Sequence, residues 1–343
     1  MGIRYEPAGF EADGREIGLY HLTDGCGLTL VVTNLGAAAR SLYLDDEAGR
    51  TDVLLGFEKP ESQMEKGPMF GVTLGRYAGK ILGAEYEVKG VRRQLSKSHG
   101  EHHAHGGRRG FDKRVFEVLR AAKEEIVFRY VSADGEEGYP GELTLLVTYR
   151  IEKRKVILTY EVTSDQDTVA GISNHMYFNL AGNDGGEVTD QNVFVRADRI
   201  SEPGTDGLPA GREYCVTGTP MDLRSPVRIG TLYEGPCEQR ERMGGFDHDY
   251  LLDGGEEPAA GLSHPASGRR LLIYTDSSCI HFYIPDFHGM HYPGKDGAVY
   301  DGKCGVCFEP MYVSDCLHSG LGDSPLLNAG ERRVSRTVFD FSW

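Results

Sequence analysis

A glutamate in apolar company is the residue of this chain that most needs a chemical explanation. Glu309 stands in the run KCGVCFEPMYV (303–313), beside Val306, Phe308 and Met311. Burying a carboxylate is costly. Such a residue is therefore either on the solvent face of a strand or half-buried with a raised pKa, the state of a candidate general base. Two further segments offer partners. SNHMYFNLAG (173–182) holds His175, which taken alone reads as a buried hydrogen-bonded histidine. GGFDHDYL (244–251) holds Asp247, either a loop acid or the second member of a carboxylate pair with Glu309, as glycoside hydrolysis would require.

Other clusters suggest other chemistry. SHGEHHAHGGRRG (98–110) carries His99, His102, His103 and His105, and imidazole is a common metal ligand. Adjacent histidines do not match the spacing of a zinc site, which also needs a distant third ligand, so no metal is expected. Cys304 and Cys307 form a C-x-x-C, followed by Cys316 and His318. Thioredoxin-type chemistry needs that motif in a βαβ setting, which the surrounding pattern does not offer. In a strand, Cys304 and Cys307 would point to opposite faces, away from a common zinc ion. Gly75-Arg76-Tyr77-Ala78-Gly79-Lys80 superficially resembles a phosphate loop but lacks its spacing and a following helix.

The elements that must position these residues are strands. Leu143, Leu145, Val147, Tyr149 and Ile151 alternate with polar residues, as do Val156, Leu158, Tyr160 and Val162. This is the period of half-buried strands, joined as a hairpin by a turn at 152–154. Further strands are expected at 28–33, 52–57, 115–120, 125–132, 193–198, 270–276, 280–284, 306–311 and 334–341, rich in β-branched and aromatic residues. Loops are expected at 133–141, 181–186 and 202–211 from their Gly, Pro, Asp and Asn content. No amphipathic helix longer than about three turns is found. Many short strands and 46 glycines indicate an all-β protein, a large antiparallel β-sandwich. No low-complexity linker divides the chain, so residues 1–343 are expected to form a single domain.

Composition narrows the function classes. The formal net charge of −15 argues against a nucleic-acid partner, which clustered Lys and Arg would have to neutralise. The one basic stretch, Arg108, Arg109, Lys113 and Arg114, reads as a solvated loop. Mean hydropathy is −0.39, no run is long enough to span a membrane, and residues 1–10 contain no apolar signal core. Seven scattered cysteines, an odd number, suit a reduced cytosolic protein, expected as a monomer or homodimer.

Taken together and in this order, the motifs resemble those of the aldose 1-epimerase family. TNLGA (33–37) is similar to its N-terminal strand motif, GRYAGKI (75–81) to G-R-x-A-N-R-I, and HGGRRGFDKRVF (105–116) to H-G-G-x-x-G-F-D-K-x-x-W. DGEEGYPGEL (134–143), SNHMYFNLAG, GFDHDYL (245–251) and CFEP (307–310) match likewise. One such motif is weak, but six or more in sequence over nearly the whole chain are specific. The resemblance implies a galactose-mutarotase-like β-sandwich that interconverts the anomers of a free sugar without a cofactor. It implies Glu309 as general base and His175 as general acid, each stabilising the other's charge, with aromatics such as Tyr177 or Phe246 nearby. His105 takes the place of a second histidine near the ring, Asp247 that of a hydroxyl ligand, and Arg76 that of a further motif residue at the sugar. Three departures from the pattern stand out. The family's Asn-Arg becomes Gly79-Lys80, which exchanges a forked donor for a point charge. Its sugar-binding Gln becomes His281, and the Leu before His-Gly-Gly becomes Ala104. The rival expectations are a glycosidase and a non-catalytic sugar-binding protein of the same fold.

Overall fold

A computed structural model describes residues 3–65 and 67–343. Among these residues almost all regular structure is strand, and the two α-helices, Glu238–Met243 and Cys316–Ser319, are short. Three large sheets are built from antiparallel neighbours. A nine-stranded sheet runs in the order Glu117–Ala121, Glu125–Ser132, Leu143–Glu152, Lys155–Ser164, Arg332–Ser342, Arg270–Thr275, Ala260–Ser263, Asn192–Val195 and Val227–Arg228. A six-stranded sheet runs Tyr177–Phe178, Val306–Met311, Cys279–Tyr283, Asp247–Leu251, Arg199–Pro203 and Pro209–Cys215. The third sheet is the five-stranded meander from Arg4–Ala12 to Gly49–Asp52.

The alternation read in residues 143–163 is the core face of the nine-stranded sheet. Val147, Tyr149, Leu158, Ile273 and Phe339 are buried in one apolar cluster with Ile280, Phe282, Phe308 and Tyr250 of the six-stranded sheet. The rings of Phe282 and Phe308 lie 5.6 Å apart, and Phe178 meets Phe339 at the same separation. Fully burying such a side chain contributes up to about 3 kcal/mol, so a strand slip that turned these rings outward would be strongly opposed.

Two sequence expectations change. Residues 202–211 are not simply a loop: Arg199–Pro203 pairs with Pro209–Cys215, leaving a short turn. The strand expected at 52–57 lies earlier, at Gly49–Asp52, beside Ala38–Asp46. The Glu125–Ser132 and Val306–Met311 strands fall where the pattern puts them. No helix is long and apolar enough to cross a membrane among the described residues.

Candidate active site

Three neighbouring strands of the six-stranded sheet make the floor. Their register sets His281 opposite Glu309, Asp249 opposite His281, and Asp247 opposite Tyr283. Because strand side chains alternate, Phe308, Phe282, His248 and Tyr250 go to the core. Glu309, Met311, His281, Tyr283, Asp247 and Asp249 share the opposite face.

The walls come from distant segments. Residues 173–178 run from a short pairing with Thr73–Leu74 to another with the Val306–Met311 strand. Between them the backbone of His175 is fixed by an N–H bond to Val72 and a carbonyl accepting from Gly71. Its ring stacks on Tyr177, with centroids 4.8 Å apart and planes at 4°. Lys80 pairs with Ala104, which brings His105 to the site. The glycines after His105 have a steric reason: a Cβ on Gly106, at φ +87°, would lie 1.6 Å from the Gly75 carbonyl oxygen. Gly79, at φ +91°, leaves no room for a side chain either, since a Cβ would meet Ser314 Oγ at 2.8 Å and Met311 Cε at 2.9 Å.

These elements enclose a cleft of about 580 Å³, within the usual range for small-molecule sites. It is lined by Gly79, Lys80, His105, His175, Asp247, His281 and Glu309, together with Tyr177, Tyr283, Met311 and Ser314.

Glu309 and His175 face each other, with Oε1 3.6 Å from Nε2. Neither carboxylate oxygen of Glu309, nor Nδ1 of His175, has a hydrogen-bond partner among the described residues. Burial therefore dominates both groups. It pushes the Glu309 carboxyl up to about 8 and holds His175 well below the ordinary histidine range. These surroundings do not favour the expected ion pair: they shift Glu309 and His175 alike toward their uncharged forms. Desolvation outweighs an attraction that is not closed into a hydrogen bond. His105 is also neutral, lowered to about 4 chiefly by burial. Its Nδ1 accepts the Gly79 N–H at 3.4 Å, so the ring proton is on Nε2.

Beside this uncharged trio lies a charged array. His281 Nε2 is 2.8 Å from Asp247 Oδ1, and Nδ1 is 2.6 Å from Asp249 Oδ1. Burial alone would discharge His281, but the two carboxylates outweigh it and hold the ring well above the usual histidine pKa. Burial would likewise raise Asp247; the His281 hydrogen bond and the His281 and Lys80 charges instead keep it below the normal carboxylate range. Lys80 Nζ lies 4.0 Å from Asp247 Oδ2.

Several residues singled out in the sequence lie elsewhere. Arg76 does not line the cleft. It is buried and donates to Ser132 Oγ and to the carbonyls of Ser132, Ala133, Pro140 and Gly141. Its guanidinium ties down the 133–141 loop, and the expectation that it grips sugar is withdrawn. Phe246 packs in the core against Phe282 and Tyr233; of the two expected aromatics only Tyr177 lines the cleft. The four clustered histidines separate: His103 is buried against Tyr139 and the Ser96 carbonyl, and His102 accepts from Gly83. In the basic stretch, Arg109 pairs with Asp13 and Arg114 with Glu136.

Cys304 precedes the strand, which starts at Val306, so the opposite-face argument does not hold. Cys304 and Cys307 share one apolar cluster, whereas Cys316 lies in another, its sulfur 3.2 Å from Tyr77 Oη. His175, Cys307 and Glu309 do bring potential metal donors within 4.8 Å of one another. Without a metal, burial raises the Cys307 thiol well above its ordinary range.

Asp249, which hydrogen-bonds His281 beside the cleft, is not singled out by the sequence reading. The D-H-D spacing of residues 247–249 was the available signal, since in a strand it puts both acids on one face.

Residues 18–340 match the family model described as aldose 1-epimerase. The chain belongs to the aldose 1-epimerase family. It is 36% identical over 318 residues to the galactose mutarotase of Homo sapiens, covering 92% of this chain and 91% of that one. It is 29% identical over 337 residues to the aldose 1-epimerase of Escherichia coli, covering 96% of each. Among solved structures it is similar to the aldose epimerase homologue of C. elegans, with a TM-score of 0.87 at 26% identity, covering 95% of this chain and 99% of that one. The galactose 1-epimerase of Lactobacillus acidophilus superposes with a TM-score of 0.86, also at 26% identity, covering 99% and 98%. This aldose 1-epimerase is accordingly an isomerase of sugar anomers with the galactose-mutarotase fold, with Glu309 on the floor of its cleft and His175 on the wall facing it.

Proposed function

We propose that this epimerase interconverts the α and β anomers of a neutral free aldohexose, galactose or glucose, with Glu309 and His175 exchanging protons at O1 and the ring oxygen. The observation that carries the reading is the pair itself: a buried carboxyl with both oxygens unpartnered, 3.6 Å from an imidazole nitrogen, facing the cleft. Buried polar atoms are normally satisfied, and a hexose supplies the missing partners.

Ring opening needs a proton removed from the C1 hydroxyl and one delivered to the ring oxygen. Either step alone leaves an alkoxide or an oxocarbenium-like cation, and a positioned acid and base acting together avoid both. The Glu309–His175 pair needs only one proton between them for this work. In the reactive arrangement that proton sits on His175, leaving Glu309 as carboxylate. Sugar hydroxyls donating to Glu309 favour that arrangement by supplying the hydrogen bonds it lacks. His175 then protonates the ring oxygen while Glu309 accepts from O1. After rotation about C1–C2, the same groups close the ring in reversed roles. Neutral His105 offers its Nε2 proton, while Asp247 and Lys80 offer an acceptor and a donor for hydroxyls. The charges of Lys80 and His281 balance those of Asp247 and Asp249, which suits an uncharged sugar.

Polarimetry on freshly dissolved α-galactose and α-glucose tests the proposal. Rotation change faster than the spontaneous rate, with no bond cleavage, is expected. Release of reducing sugar from a glycoside would identify a glycosidase instead, and binding without acceleration a non-catalytic sugar-binding protein.

A further inference from the structure

We propose that His281 is a positioning residue: anchored by Asp249, it fixes and orients the Asp247 carboxylate for the sugar and does not itself contact the sugar. The proposal rests on the reading of Asp247 as a hydroxyl ligand.

The geometry carries the argument. Each ring nitrogen of His281 faces a carboxylate oxygen, at 2.8 Å and 2.6 Å. An imidazolium has two N–H groups and no acceptor, so no hydrogen-bonding capacity is left for a ligand. The far end of the array is tied to the backbone, because Asp249 Oδ2 accepts the Ser314 N–H at 2.7 Å. Asp249 is buried and outside the cleft lining, whereas Asp247 is on it. The free end is Asp247 Oδ2, which faces Lys80.

The pieces thus form a line from backbone to cleft: Ser314 N–H, Asp249, His281, Asp247. A glutamine at position 281 could present an amide to the sugar. The histidine gives up that contact and holds a neighbouring carboxylate still. The other titratable groups around the ring are Lys80, His105, His175, His248 and Glu309; none adds a negative charge at neutral pH, so Asp247 and Asp249 alone sustain the cation.

Two measurements test the assignment. In protein labelled with ¹⁵N-histidine, His281 should keep both nitrogens protonated through the pH window in which an ordinary histidine loses its charge, near about 6.5. A midpoint near the ordinary value overturns the proposal. In Asp249→Asn, the His281 titration should move into that window. KM for galactose should rise about tenfold while kcat stays within about twofold, the signature of lost uniform binding. A kcat loss exceeding the KM change, or no change in either constant, also overturns it. If Asp249→Asn fails to fold, the wild-type titration still decides. That titration is read without substrate, so its failure sinks this proposal alone, whereas absence of mutarotation by the wild-type protein sinks the proposed reaction.

Discussion

His281 and Glu309 are cross-strand partners on the same face of one sheet, yet they settle into opposite charge states. His281 has a carboxylate at each nitrogen and remains a cation in spite of burial. Glu309 has no hydrogen-bond partner among the described residues, and burial raises its carboxyl to about 8. The difference lies chiefly in the partners each side chain has been given.

Removing the carboxylate should separate chemistry from folding. Glu309→Gln is expected to lower kcat/KM by roughly 10²–10⁴-fold while the far-UV circular dichroism is unchanged. Near-normal mutarotation of α-galactose in that variant would refute the assignment of Glu309.

The pH profile follows from counting protons. The reactive pair holds one proton, whichever partner carries it, and a coupled pair titrates as a unit. With Glu309 raised to about 8 and His175 pushed low, that proton is lost as pH rises through about 8. The kcat/KM for mutarotation should therefore be level near neutrality and fall above about 8. A rate that climbs through the same range would mean that His175 donates no proton in the rate-determining step.

Stability should show the same group with its own sign. The folded pKa of Glu309, about 8, lies above its unfolded value of 4.5. Below 4.5 both states hold the proton and nothing is lost; between 4.5 and about 8 the unfolded chain ionises first, so stability falls as pH rises. Glu309→Gln removes this effect. The variant should match wild type in urea melts near about pH 4 and exceed it by up to roughly 4 kcal/mol above about pH 8. An equal difference at both ends would show that the carboxyl is not held neutral in the folded state.

Lys80 offers a binding test. Lys80→Met keeps the apolar stem and removes the ammonium facing Asp247. KM is expected to rise about tenfold with kcat changed little. A variant that loses kcat alone would place Lys80 in the proton transfer.

Gly106→Ala tests the turn that delivers His105. Its Cβ would fall 1.6 Å from a backbone oxygen, at a φ that alanine resists. A loss of more than about 2 kcal/mol in denaturant melts is expected, and wild-type stability would mean that the turn can open.

Much of this was legible before folding was considered. Glu309 declared itself by its apolar neighbours, and the 143–163 hairpin by its alternation. The Arg4–Ala12 and Arg15–Thr23 strands did not, because their polar, partly exposed residues give no apolar stripe. The 202–211 segment carries Pro and Gly and so reads as a loop, although its ends pair as a hairpin. Arg76 was misplaced for a different reason. Its five acceptors, four of them backbone carbonyls, come from residues 132–141, and sequence spacing does not say where carbonyls point. The His281–Asp249 contact depends on a strand register that is set by the aromatic face below it.

That shared register has a practical consequence. Phe308 and Glu309, Phe282 and His281, Tyr250 and Asp249 are sequence neighbours sent to opposite sides of one sheet. A one-residue slip in any of these strands would lift an aromatic ring into the cleft and drive an ionisable group into the core. In refolding experiments, recovered mutarotation would count molecules whose strands are correctly aligned, whereas a strand-content signal would also count slipped ones.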